Sequence, residues 1–274
     1  MSVPIKVGCN SHCFWRHFYS DKGSIGQMKW LEFCADKLGL DGVEMVFDHF
    51  DSTSKTHLCK LKRRCCELHM EIMCVSPGND FGILSEAKIA AQMRNLKKWI
   101  DIALFLGAPM VRIYSGNPEK EELRKSTWPI MIKRLKEITR YAAAQGIILV
   151  LENHNHGGFT NTAENVIKMM NQVNSPWLRP LLDVGNFGAQ DYPYEVDFYP
   201  AIKKLAPTSI MIHAKHYGPD RQGKDKKIDY ERVIKILKKA NYQGYLSIEY
   251  EGKEDAFTAM PRIVKYLRKL LQEK

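Results

Sequence analysis

The sequence predicts an α/β protein built as a single (β/α)8 barrel over residues 1–274. Three observations carry that expectation. Strand-like and helix-like stretches alternate eight times, with no Gly/Ser-rich linker, low-complexity tract or compositional break between them. The run 147–151 (IILVL) is apolar throughout with no period-2 alternation, the pattern of a parallel strand buried on both faces. Side chains of metal-ligand type then stand at the C-terminal ends of four successive strands, where parallel sheets place their chemistry. A doubly wound open sheet is the structural rival, but no G-x-G-x-x-G follows the first strand.

Taken in order, residues 5–9 read as the first strand, followed by a loop 10–23 rich in aromatics and histidine (His12, Phe14, Trp15, His17, Phe18, Tyr19). A helix over 24–38 closes at Gly39, a residue suited to the left-handed position past a helix end. Strand two (42–46) carries Glu44, and a helix spans 54–70. Strand three (71–76) runs into the turn chemistry of Pro77-Gly78-Asn79. In 85–106 the residues Ile89, Met93, Leu96, Ile100 and Leu104 recur at helical spacing, which predicts an amphipathic helix ended by Gly107. Strand four (110–114) ends with Arg112 and Tyr114, and a long helix covers 119–145. Strand five is the apolar run ending in Glu152, with a helix over 162–171 after it. Strand six (179–183) ends at Asp183, and a helix over 194–205 follows an irregular loop. Strand seven carries His213 and leads into a basic loop, after which Asp229 caps a helix to Ala240. Strand eight ends at Glu249, and the last helix sets Met260, Val264, Leu267 and Leu271 on one stripe.

Composition narrows the classes. Apolar content of 45% and charged content of 26% describe a globular chain with a real core. No run approaches the roughly 18 apolar residues of a membrane span, and MSVPIKVG enters a strand pattern almost at once. No membrane partner and a cytoplasmic location are therefore expected. The seven cysteines are odd in number and contain no C-x-x-C pair, which predicts reduced thiols rather than a disulfide framework. The net charge of +10 raises nucleic acid as a partner. Much of the excess, including Lys97, Lys98, Lys133, Arg134 and Lys235, lies at helical spacing and reads as solvated outer faces. Only 213–227 concentrates base in a loop, with Lys215, Arg221, Lys224, Lys226 and Lys227.

Glu152, Asp183, His213 and Glu249 are separated by 31, 30 and 36 positions, about one βα unit each. Three carboxylates and one imidazole converging on one mouth suit a single divalent cation, Mn2+ first, with Mg2+, Co2+, Fe2+ or Zn2+ also compatible. Three negative charges against a dication favour a neutral sugar over a phosphate, and the metal would act as a Lewis acid beside a carbonyl. Glu152 and Glu249 would stand on opposite faces of a substrate, a geometry for taking and returning a proton. His154 shares a face with Glu152 in an extended segment and would serve as a base, whereas Asn153 points away as support. Arg112, Glu44, Lys215, Asn186 and Trp15 are the expected substrate contacts, with Phe14 and Phe81 as further walls.

The segments GVEMV (42–46), VRIYSG (111–116), LENHNHGG (151–158), LLDVGNFG (181–188), IHAKH (212–216) and SIEYEG (247–252), in that order, resemble the xylose isomerase-like TIM barrel superfamily in its sugar isomerase/epimerase branch. The resemblance covers essentially the whole chain. It implies a divalent metal on Glu152, Asp183, His213 and Glu249, and isomerisation or epimerisation through an enediolate. In the ketose 3-epimerases, Glu152 and Glu249 would also be the proton-transfer pair. Two positions depart from those epimerases: Asn186 stands where they carry a histidine, and Lys215 where they place an arginine. The Glu-Asn-His run resembles instead the proteins of inositol and keto-sugar catabolism and the subunits that cleave 3-keto C-glycosides. That likeness implies a lyase with His154 as base and a small accessory subunit as partner. The apurinic endonuclease relatives need histidines where this chain has Asn79, Tyr114 and Asn186, leaving only His49, so nucleic acid is not the expected partner. A sugar or keto-sugar substrate and a homo-oligomer are expected. A non-catalytic sugar-binding role is the competing class.

Overall fold

A computed structural model describes residues 5–20, 24–154, 158–187 and 197–273. Its strands are β1 (Lys6–Asn10), β2 (Gly42–Val46), β3 (Glu71–Ser76), β4 (Met110–Ile113), β5 (Ile148–Glu152), β6 (Leu178–Asp183), β7 (Met211–His216) and β8 (Tyr245–Tyr250). Each pairs in parallel with the next, and β8 pairs back onto β1, closing an eight-stranded barrel. Helices α1 (Trp15–Phe18), α2 (Gln27–Glu32), α3 (Lys55–Glu67), α4 (Glu86–Leu106), α5 (Arg124–Ala144), α6 (Ala163–Val173), α7 (Tyr199–Leu205), α8 (Tyr230–Lys239) and α9 (Ala256–Gln272) lie between the strands in sequence. Among the described residues no helix is long and apolar enough to cross a membrane.

The helix ends follow local chemistry. Ser54, Ser85, Thr162 and Asp229 each accept a hydrogen bond from a first-turn backbone N–H, and Gly107 ends α4 at φ 84°. Several expectations are corrected here. The loop 10–23 contains a 3-10 turn and α1. The expected helix over 24–38 starts only at Gln27, because Gly26 sits at φ 73°, and its last turn widens into a π-turn over Phe33–Lys37. The helix expected from residue 194 begins at Tyr199, and 194–196 lie outside the described residues. Leu104 does not join the buried stripe of α4; it is 47% exposed, and Trp99 and Ala103 pack inward instead.

Two apolar layers hold the barrel. The larger lies between strands and helices and takes the outward residues such as Leu151, Leu182, Ile212, Ala214 and Ile248. The smaller plugs the lumen with Met73, Cys74, Met110, Val150, Leu181, Met211 and Tyr245. Alternation then decides what lies above that plug. Two residues further along each strand, Met110 gives way to Arg112, Val150 to Glu152, Leu181 to Asp183 and Met211 to His213. The lumen thus changes from apolar to ionic within one residue pair, at the C-terminal end of the strands.

Candidate metal centre and active site

Glu152, Asp183, His213 and Glu249 are all buried, and one ligand atom from each lies within 4.8 Å of the others. His213 organises the group. Its Nε2–H donates to Glu44 Oε2 at 2.8 Å, and that carboxylate also accepts from Ser247 Oγ at 3.0 Å and from Ser76 Oγ. Nδ1 is left buried with no hydrogen-bond partner among the described residues. It points at Glu249 Oε2 (3.4 Å), Glu152 Oε1 (3.5 Å) and Asp183 Oδ2 (3.8 Å). An orphaned buried imidazole nitrogen facing three carboxylates is a donor set that fits a divalent cation.

Charge supports the same fit. Burial pushes the Asp183 carboxyl well above its ordinary pKa, and the Glu249 and Glu152 charges add to this against Lys215. Burial opposes protonation of His213, but the Glu44, Glu249 and Glu152 carboxylates outweigh it and lift its pKa well above the imidazole range. The cluster therefore retains protons that a cation would displace.

Two cations flank the cluster. Arg112 Nη1 bonds Glu152 Oε2 at 2.8 Å, donates also to the Tyr114 hydroxyl, and stacks 4.3 Å above the Tyr114 ring. Burial opposes ionisation of Glu152, yet Arg112 and His213 hold its pKa down to about 2. Lys215 is only 3% exposed and reaches Glu249 at 2.5 Å, Glu251 at 2.9 Å and Asp183 at 3.3 Å. It belongs to β7, not to a solvated basic loop, because 213–216 is strand. Asn186 Nδ2 donates to Asp183 (3.0 Å) and Glu152 (3.2 Å). Asn153 ties β5 to β6, accepting from Asp183 N at 2.8 Å and donating to Asp183 O at 2.9 Å.

The other expected site residues fall in three places. Half-buried His154 lies at the mouth, its ring edge-on to Tyr114 with centroids 4.9 Å apart. Fully buried Glu44 supports His213 from beside it. Trp15 is 36% exposed with Arg16 over its ring at 4.9 Å, and Phe14 and Phe81 are core residues, Phe14 packing on Phe33 and Phe257. His156 lies outside the described residues. Sequence reasoning assigned no role to Tyr114, Ser76 or Ser247. Parity was the available signal for two of them, since Tyr114 follows Arg112 by two positions and Ser247 precedes Glu249 by two.

A family model described as the xylose isomerase-like TIM barrel matches residues 33–270. The chain belongs to this family. Within xylose isomerase-like TIM barrels it is similar to an inosose dehydratase of Clostridium botulinum, 25% identical over 154 residues, which is 48% of this chain and 50% of that protein. It is also similar to a 3-dehydroshikimate dehydratase of Pseudomonas aeruginosa, 24% identical over 251 residues, or 85% of this chain and 38% of the relative. The matches thus span half or less of each relative's length. The structure of D-psicose 3-epimerase from Clostridium cellulolyticum shares the fold with a TM-score of 0.79 at 14% identity, over 97% of this chain and 99% of that one.

Proposed function

We propose that the chain is a divalent-metal-dependent enzyme acting on a neutral keto-sugar or cyclitol ketone, removing the proton beside the carbonyl and completing a β-elimination. Glu152, Asp183, His213 and Glu249 would hold the cation. When bound, it supplies Lewis-acid stabilisation of the negative charge that develops on the carbonyl oxygen.

The observation that carries the choice of reaction is the pairing of both glutamates with cations. Glu152 is bonded by Arg112 and Glu249 by Lys215, so each is held as an ionised, weakly basic ligand. His154 is then the base at the mouth, on the strand end that also presents Glu152. It takes the α-proton, the electron pair forms the new C=C bond, and the β-hydroxyl departs as water after receiving a proton. The imidazolium formed at His154 supplies that proton, and Tyr114, whose O–H burial keeps from ionising against the Arg112 charge, lies edge-on beside it. Arg112 and Lys215 are both committed to carboxylates, so among the described residues of the cluster neither cation is left for a substrate phosphate. The dehydratase relatives support elimination as the outcome.

The second reading is isomerisation or epimerisation with Glu152 and Glu249 as the proton-transfer pair. It is favoured by their origin on β5 and β8, well apart round the barrel. Incubation of the Mn2+-loaded protein with inosose and a ketose panel in D2O separates the two. Elimination gives an unsaturated ketone absorbing in the near ultraviolet and is lost in His154→Ala. Epimerisation gives deuterated stereoisomer with no such chromophore, and that result would overturn the lyase assignment.

A further inference from the structure

Outside the barrel, a groove of about 630 Å3 runs between α5 and the C-terminal end of α6, and none of its lining residues belongs to the mouth. Its floor includes Ile132 and Val173, and its rim carries Lys133, Lys136 and Arg140. These three cations are spaced i, i+3 and i+7, so they share one helix face and span about 10 Å along it. Among the described residues none of them forms an ion pair, whereas their neighbours are spoken for. Arg134, expected as part of a solvated face, is instead 8% exposed and donates to the Phe81 carbonyl at 2.9 Å and to that of Ile83, while Glu137 binds Lys97. Ile132 and Val173, each 8% exposed, give the groove an apolar floor between that rim and the end of α6.

We propose that this groove is a second binding site, for a small organic dianion with an apolar body. The acidic groups meet the rim cations and the body covers Ile132 and Val173. The volume lies in the range of small-molecule sites. A net charge of +10 disfavours a second copy of the chain as occupant.

The same chemistry is carried by ring-bearing phosphate monoesters and by aliphatic dicarboxylates, so the test has two arms. Calorimetric titration at fixed ionic strength uses AMP for the first, suberate for the second, and sulfate as a body-less control. One equivalent of AMP or of suberate is expected to bind at least about tenfold more tightly than sulfate. Combined Lys133→Ala, Lys136→Ala and Arg140→Ala should weaken that binding by about tenfold or more. Val173→Asp, which sets a carboxylate in the floor, should weaken it by about tenfold or more. Three outcomes overturn the proposal: no saturation by either probe, sulfate binding as tightly as both, or affinities unchanged in both variants.

Discussion

Replacing Glu44 with glutamine isolates the contact that orients the metal-facing histidine. In the wild type, Oε2 accepts from His213 Nε2 and Ser247 Oγ while Oε1 accepts from Ser76 Oγ, so all three bonds require an acceptor. The glutamine amide retains one acceptor and turns a donor toward either Ser76 or the His213–Ser247 pair. His213 then loses part of the force that keeps a proton on Nε2 and so leaves Nδ1 as the nitrogen offered to the cation. Removing such a support costs a metal site roughly 10-fold to 100-fold in affinity, or about 1.4–2.7 kcal/mol. The metal-free protein should respond less. There the buried donors of His213, Ser76 and Ser247 are left sharing one acceptor, so the melting temperature in chelator should fall, and in Mn2+ it should fall further. Mn2+ titration by calorimetry, with melts in Mn2+ and in chelator, reads both effects. Unchanged Mn2+ affinity, or an equal loss of stability in both buffers, would refute the role assigned to Glu44.

Three further predictions follow from buried groups. Burial holds His216 at a pKa of about 4 against 6.5 in the unfolded chain, its ring stacked on Tyr230 at 4.4 Å. The unfolded state therefore binds the extra proton between these values, and stability falls as pH drops through that window, by roughly 3 kcal/mol for this group. His216→Phe keeps the stack and should flatten the slope of urea-derived stability against pH. His49, also lowered to about 4, leaves a residual slope, and an unaltered slope in the variant would refute the assignment. Phe14→Ala should cost about 3–5 kcal/mol in chemical denaturation because the ring is core, and a loss near zero would return it to the pocket wall. Lys215→Met should leave Mn2+ affinity undiminished by calorimetry, since it removes a cation that competes for Asp183 and Glu249. A fall in Mn2+ affinity would make Lys215 a structural strut instead.

The barrel was legible because its signals are local and repeated. An apolar run ending in one polar residue recurs on β5 to β8, and strands two and three read correctly to the residue. The four converging carboxylate and imidazole residues were legible for the same reason, Glu152 and Asp183 closing β5 and β6 and His213 and Glu249 standing within β7 and β8. What escaped depended on where a side chain goes after the backbone is placed. Lys215 and Arg134 look like surface base in a list of charges, and only the β7 parity and the carbonyls of Phe81 and Ile83 show that they are buried. Glu44 shares the inward face as expected, but its engagement with Ser76 and Ser247 arises from three strands far apart in sequence, which no periodicity reports. Leu104 fits the helical repeat yet faces solvent, because α4 turns its Trp99 side to the barrel.

Metal content per chain tests the central claim most directly. Protein purified without chelator and reloaded with Mn2+ should carry about one ion per chain by elemental analysis, and Glu249→Ala should lose it while keeping the wild-type far-ultraviolet dichroism. Wild-type protein that takes up no divalent ion after reloading, or a variant that retains it in full, would contradict the assignment of Glu152, Asp183, His213 and Glu249 as one metal centre.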